Sequence, residues 1–139
     1  MYVQRAWERL LTRALDTNII VRFLTRDDPV QTALADAAIR LDFLVTATVL
    51  LEVDWVLASY YGWSREQRVR GLNEVLDLPH AVAFHPSARW ALDRTAKGAD
   101  FADMMHLAVA EGASLFLTFD KKLKRLAGAD VPLPVELLS

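Results

Sequence analysis

Cysteine is absent from this 139-residue chain, which excludes disulfide staples, thiolate nucleophiles and Cys-type zinc centres and suits a reducing cytosol. Histidine occurs only at His80, His85 and His106, too scattered for a paired-His zinc motif. The five glycines, Gly62, Gly71, Gly98, Gly112 and Gly128, never cluster, so no phosphate-cradling glycine loop exists. No apolar run approaches the roughly 20 residues of a membrane span. The opening MYVQRAWERLLTR carries charges where a secretory segment needs its apolar stretch, so a soluble, cytoplasmic protein without a membrane partner is expected. Net charge is −2 and the isoelectric point near 5.9, which denies the chain a bulk positive surface for coating nucleic acid. Any polyanionic partner must be held locally. Linkers, repeats and low-complexity tracts are also missing.

What is present is apolar content, 53% of the residues, ample for the core of one domain. Short β-prone runs alternate with helical patterns, the signature of an α/β fold with a parallel sheet covered on both faces. Strands are expected at 13–16, 44–46, 81–84 and 115–119, with a weak last one at 135–138. Asp28-Pro29 opens one helix, and a strongly apolar one spans about 48–61 before Gly62. Ser64 and Gln67 form a capping box for a helix to about 77, stopped by Pro79. Further helices follow at 86–97 before Gly98, at 101–111 with Asp100 as a cap, and at 121–126. Nothing in the pattern assigns an element to 17–27.

Asp16 and Asp120 fall at the C-terminal ends of the first and fourth strands, the edge where open parallel sheets bind ligands. Glu52 lies in the apolar helix between Leu51 and Val53, where a buried or cleft-facing charge needs a partner or a metal. Asp54 projects from roughly the opposite side of that helix. One of the two should be functional and the other solvated, and periodicity does not choose. Asp103 sits in the first turn of its own helix. Converging carboxylates repel by about 4 kcal/mol per close pair at an effective dielectric near 20. A hard divalent cation removes that penalty, and oxygen-only ligands favour Mg²⁺ or Mn²⁺. Such a site suits phosphodiester hydrolysis, with one ion or with two about 3.5–4 Å apart.

Plainer roles compete at each position. Asp16 and Asp120 could cap the turns that follow them, and Asp103 could complement a helix N-terminus. Asp100 reads first as a helix cap. Lys121, Lys122, Lys124 and Arg125 could grip RNA phosphates or simply keep a short helix soluble. Trp55, Tyr60, Tyr61 and Trp63 could stack bases, although helical spacing favours a core or a partner surface. Met104 and Met105 read as core filling. His106, one turn after Asp103, reads as a polar residue at the cleft rim.

The segments ALDTNIIVRFL (14–24), TATVLLEVDWVLASYY (46–61), GADFADMMHLAVAEG (98–112) and LTFDKKLKRL (117–126) resemble the four acidic blocks of PIN-domain ribonucleases, VapC-type toxins of toxin-antitoxin modules above all. The resemblance covers 13–139, leaving residues 1–12, with Trp7, Leu10 and Leu11, as an N-terminal extension. It implies a three-layer α/β/α sandwich around a central parallel sheet of four to five strands. Asp16, Glu52, Asp103 and Asp120 match the acids that hold Mg²⁺ or Mn²⁺ and cut RNA, commonly a tRNA. Asn18 and Thr118 match accessory polar positions, and Glu52 is favoured over Asp54 because the family's glutamate is likewise followed by an aromatic and a Val-Leu pair. The resemblance further implies a homodimer and a cognate VapB-like antitoxin, which lays a segment in a hydrophobic groove beside the acids. Two alternatives stand beside it. One is a Mg²⁺-dependent phosphoryl-transfer domain, disfavoured by Asn18 where dehalogenase-like phosphatases want an Asp. The other is a PIN-fold binding module with weak or no catalysis, disfavoured because it would not need four intact acids.

Overall fold

A computed structural model of the protein describes residues 12–82 and 85–139. The chain alternates β1 (Arg13–Ala14), α1 (Thr17–Thr25), α2 (Pro29–Ala38), β2 (Phe43–Leu44), α3 (Ala47–Ser59) and α4 (Arg65–Leu76). It continues through β3 (Ala81–Val82), α5 (Ser87–Ala96), α6 (Phe101–Val109), β4 (Phe116–Thr118), α7 (Lys121–Ala127) and β5 (Val135–Leu137). The expected N-terminal extension lies outside the described residues save for Thr12, as does the end of the expected third strand.

Local chemistry accounts for most boundaries. Side-chain caps open the helices, among them Asp28 on the amide of Gln31 at 3.0 Å and Thr46 on that of Val49 at 3.4 Å. Ser64 and Gln67 form the anticipated capping box: the Gln67 amide donates to the Ser64 hydroxyl at 3.2 Å, and Gln67 Oε1 accepts from the Ser64 amide at 2.8 Å. Gly62 and Gly98 follow the ends of α3 and α5 with φ of 65° and 113°.

Helix α1 is a correction to the sequence reading. Its run of Thr17, Ile19, Ile20 and Val21 looks strand-like by propensity, yet Asp16 caps it and the buried Thr17, Ile20 and Val21 recur at helical spacing. Tertiary burial against α2 and α3 decides the outcome. Arg26 closes the helix in the left-handed region at φ 56°, donating its amide to the Arg22 carbonyl at 2.9 Å.

All described strands pair in parallel. β2 lies between β1 and β3, with Phe43 opposite Arg13 and Ala81, while β4 pairs with β5 through Phe116 opposite Val135. The expected strand number and direction hold, but among the described residues the ladder divides into three strands and two rather than running continuously from β1 to β4. The strands are also shorter than their β-prone runs. One core, built on Phe43, Ile20, Leu50, Leu57, Leu72, Leu92, Met104 and Met105, joins both groups through the helices. Core filling by the two methionines is therefore correct. Among the described residues, no helix is long and apolar enough to cross a membrane.

Candidate active site

A cavity of about 230 Å³ opens where α6 and α7 begin, lined by Asp100, Asp103 and Asp120 together with Arg65, Lys122 and leucine side chains of α7. Each acid owes its position to a helix start. Asp100 caps α6 by accepting the Asp103 amide at 3.0 Å, which aims the first turn carrying Asp103 at the cavity. Asp120 caps α7 through Oδ1 alone, accepting from the amides of Lys122 at 2.9 Å and Leu123 at 3.1 Å. Thr118 supports that turn, its hydroxyl accepting the Asp120 amide at 3.0 Å. A carboxylate has about four acceptor sites, so capping leaves the second oxygen of Asp120 for other ligands.

The acids feel one another. Burial, then the charges of Asp100 and Asp120, push the Asp103 carboxyl above its ordinary value of 3.8, and nearby His106 only partly opposes them. None of the three acids has an ion-pair partner among the described residues. His106 is exposed and is not among the residues that line the cavity.

Asp16 and Glu52 lie outside the cavity lining. Asp16 is exposed at the end of β1 and caps α1 with Oδ1, accepting the Thr17 amide at 2.8 Å. Glu52 is exposed on α3 without a side-chain partner among the described residues. Here the structure corrects an expectation: Asp54 is not solvated. It binds Arg68 Nε at 2.8 Å with both side chains only about a fifth exposed, because α4 crosses α3 on that side. Burial raises the Asp54 carboxyl, Arg68 pulls it down, and the charge of Asp100 adds to the rise. Asp54 is thus committed to Arg68, whereas Glu52 remains uncommitted.

Residues 13–129 match the family described as PIN domain. The protein belongs to the PIN domain family. No curated protein and no solved structure matches it. PIN domains are an α/β fold, and typically metal-dependent nucleases that use divalent ions such as Mg²⁺. In this PIN domain, the donor chemistry fits such an ion: carboxylates that repel, Asp103 partly buried among them, and none neutralised by a bonded cation among the described residues. Among the described residues, however, no three acidic or histidine side chains stand close enough to enclose one.

Sequence reasoning missed Arg65 as a cavity residue and put the capping role of Asp100 ahead of a supporting role at a metal site. Arg65 follows an N-cap and looked like ordinary first-turn surface; only the packing of α4 against α5 brings it to the acids. Of the basic run after Asp120, Lys122 reaches the cavity. Of the four aromatics expected in a core or on a partner surface, Trp55 and Tyr60 lie on the surface, 58% and 76% exposed and stacked edge to face at 5.9 Å, whereas Tyr61 and Trp63 pack on the core. A second cavity of about 350 Å³, lined by Asn18, Ile19, Arg22, Gln31, Leu34 and Ala35, lies between α1 and α2.

Proposed function

We propose that this PIN domain is a Mg²⁺- or Mn²⁺-dependent endoribonuclease acting as the toxin of a toxin-antitoxin pair. The observation that carries the reading is the shared cavity of Asp103, Asp120 and Asp100, in which burial and then the charges of the other two acids raise the Asp103 carboxyl, with two cationic side chains, Arg65 and Lys122, at the walls. Asp103 and Asp120 would hold the ion, with Asp16 and Glu52 completing the set that the four acidic blocks suggest. A bound divalent ion supplies Lewis acidity and neutralises charge gathering on a phosphodiester. The chain's own contribution is to fix the carboxylates on helix starts and to draw in the RNA backbone through Lys122. Asn18 and Thr118 would assist, Thr118 by holding the Asp120 turn.

The toxin assignment rests on the likeness of the four blocks to VapC-type proteins. An apolar groove beside Asn18, two residues from Asp16, is the kind of surface a VapB-like antitoxin segment would fill, and exposed Val30 and Leu34 on α2 extend it. Homodimerisation would cover part of the exposed apolar surface.

Cleavage of total tRNA by partner-free protein in Mg²⁺, Mn²⁺ or EDTA, with Asp16→Asn beside it, tests the proposal. Discrete fragments that require metal and disappear in the variant are expected. Intact RNA from a chain that demonstrably binds the ion would overturn the ribonuclease reading and favour a binding module.

A further inference from the structure

Arg65 is the first residue of α4, yet its partners are 30 and 34 residues away: Nη1 donates to the carbonyl of Thr95 at 2.9 Å and also to the carbonyl of Ala99. These two oxygens flank the turn that links α5 to α6. Thr95 lies in the last turn of α5, at the negative end of the helix dipole, where a cation is favourable. Ala99 is fully buried and directly precedes Asp100, the cap of α6. Between them, Gly98 takes φ 113° and donates its amide to the Thr95 carbonyl at 3.0 Å. One guanidinium nitrogen therefore bridges both sides of the turn, from the end of a side chain one bond longer than lysine's.

Arg65 also belongs to a two-point brace. One turn further along α4, Arg68 binds Asp54 of α3 and donates Nη1 to the Trp63 carbonyl at 2.8 Å. The N-terminal turns of α4 thus connect the helix bearing Glu52 to the turn that delivers Asp100 and Asp103. We infer that Arg65 is a positioning residue, which fixes the Gly98–Asp100 turn and through it the placement of the Asp103 carboxylate at the nuclease cavity. The inference rests on the proposed function for its consequence and on the hydrogen bonds for its mechanism. Arg65 contacts the acids' scaffold and not the reacting atoms.

The test uses the full chain with Arg65→Met, which deletes the bridging donor, and Arg65→Lys, which keeps the charge on a shorter side chain. Amide hydrogen exchange is followed without metal, and binding of Mn²⁺ alone is titrated. In Arg65→Met, exchange at residues 99–103 should accelerate at least tenfold while the amides of Leu50 and Val53 in α3 keep the parent rate. Its Mn²⁺ affinity should fall about tenfold, and Arg65→Lys should recover only part of either loss. A general weakening of the fold would instead accelerate exchange in α3 as well, and parent-like exchange at 99–103 in both variants overturns the inference. So does accelerated exchange with parent-like Mn²⁺ binding. A parent chain that binds no Mn²⁺ sinks the metal-dependent reading, and the exchange at 99–103 then decides by itself whether Arg65 holds the turn.

Discussion

At the scale of single residues, the two acids of α3 divide their work. Asp54 is paired with Arg68 in a largely buried setting, so Asp54→Ala strands a guanidinium and should cost about 1–3 kcal/mol in urea unfolding. Glu52→Gln touches no partner and should leave stability within about 0.5 kcal/mol while abolishing RNA cleavage, if Glu52 serves the site. Equal losses of stability in the two variants would contradict this division. Asp103 makes a separate, pH-dependent prediction. Its folded carboxyl titrates above the ordinary 3.8, so the native state pays an ionisation penalty that is fully present above the raised pKa and fades as pH falls through it towards 3.8. Metal-free Asp103→Asn should therefore be more stable than the parent at neutral pH, and the gap should close in acid. A gap that is absent, or that widens on acidification, would rule out the proposed repulsion.

At the scale of elements, the helix ends do most of the placing. Asp100 and Asp120 were legible as caps because a carboxylate followed by a helical pattern has a local use, and the structure bears both out. Asp120 was also expected at a shared crevice, but that Arg65 stands beside it and Asp100 there was not legible, since neighbours across space are not written in flanking residues. The same limit hid α1, where a β-branched run left the segment unassigned and burial on the core made it a helix. The C-terminal end of α7 is tightly built: Gly128 has φ 77°, and a Cβ there would stand 2.9 Å from Arg94 Cζ. Gly128→Ala should displace Arg94 from the Leu126 carbonyl, to which its Nε donates at 2.8 Å, and lower stability by about 1–2 kcal/mol. Thermal unfolding unchanged from the parent would show that the end of α7 yields freely.

At the scale of the whole molecule, five short parallel strands are held in one body chiefly by the helices packed on them, with β4 bonded only to β5 among the described residues. Leu117 and Phe119 of the β4 region consequently stand exposed. A metal that binds the folded acids alone should stabilise this body by about 2.7 kcal/mol at 100 times its dissociation constant. Melting in Mg²⁺ should rise accordingly, return on addition of EDTA, and remain flat in Asp103→Asn. A rise retained by that variant would locate the ion elsewhere.

The sequence by itself determined the class of fold, the parallel strands and most helix starts, because these follow from periodicity, caps and turn residues that act within a few positions. Tertiary structure alone decided that Asp54 is paired while Glu52 is free, that Trp55 and Tyr60 face solvent, and that Arg65 joins Asp100, Asp103 and Asp120 at one cavity. Those outcomes depend on which helix crosses which. Crossing is set by the summed burial of the entire core, and no local stretch of sequence carries that sum.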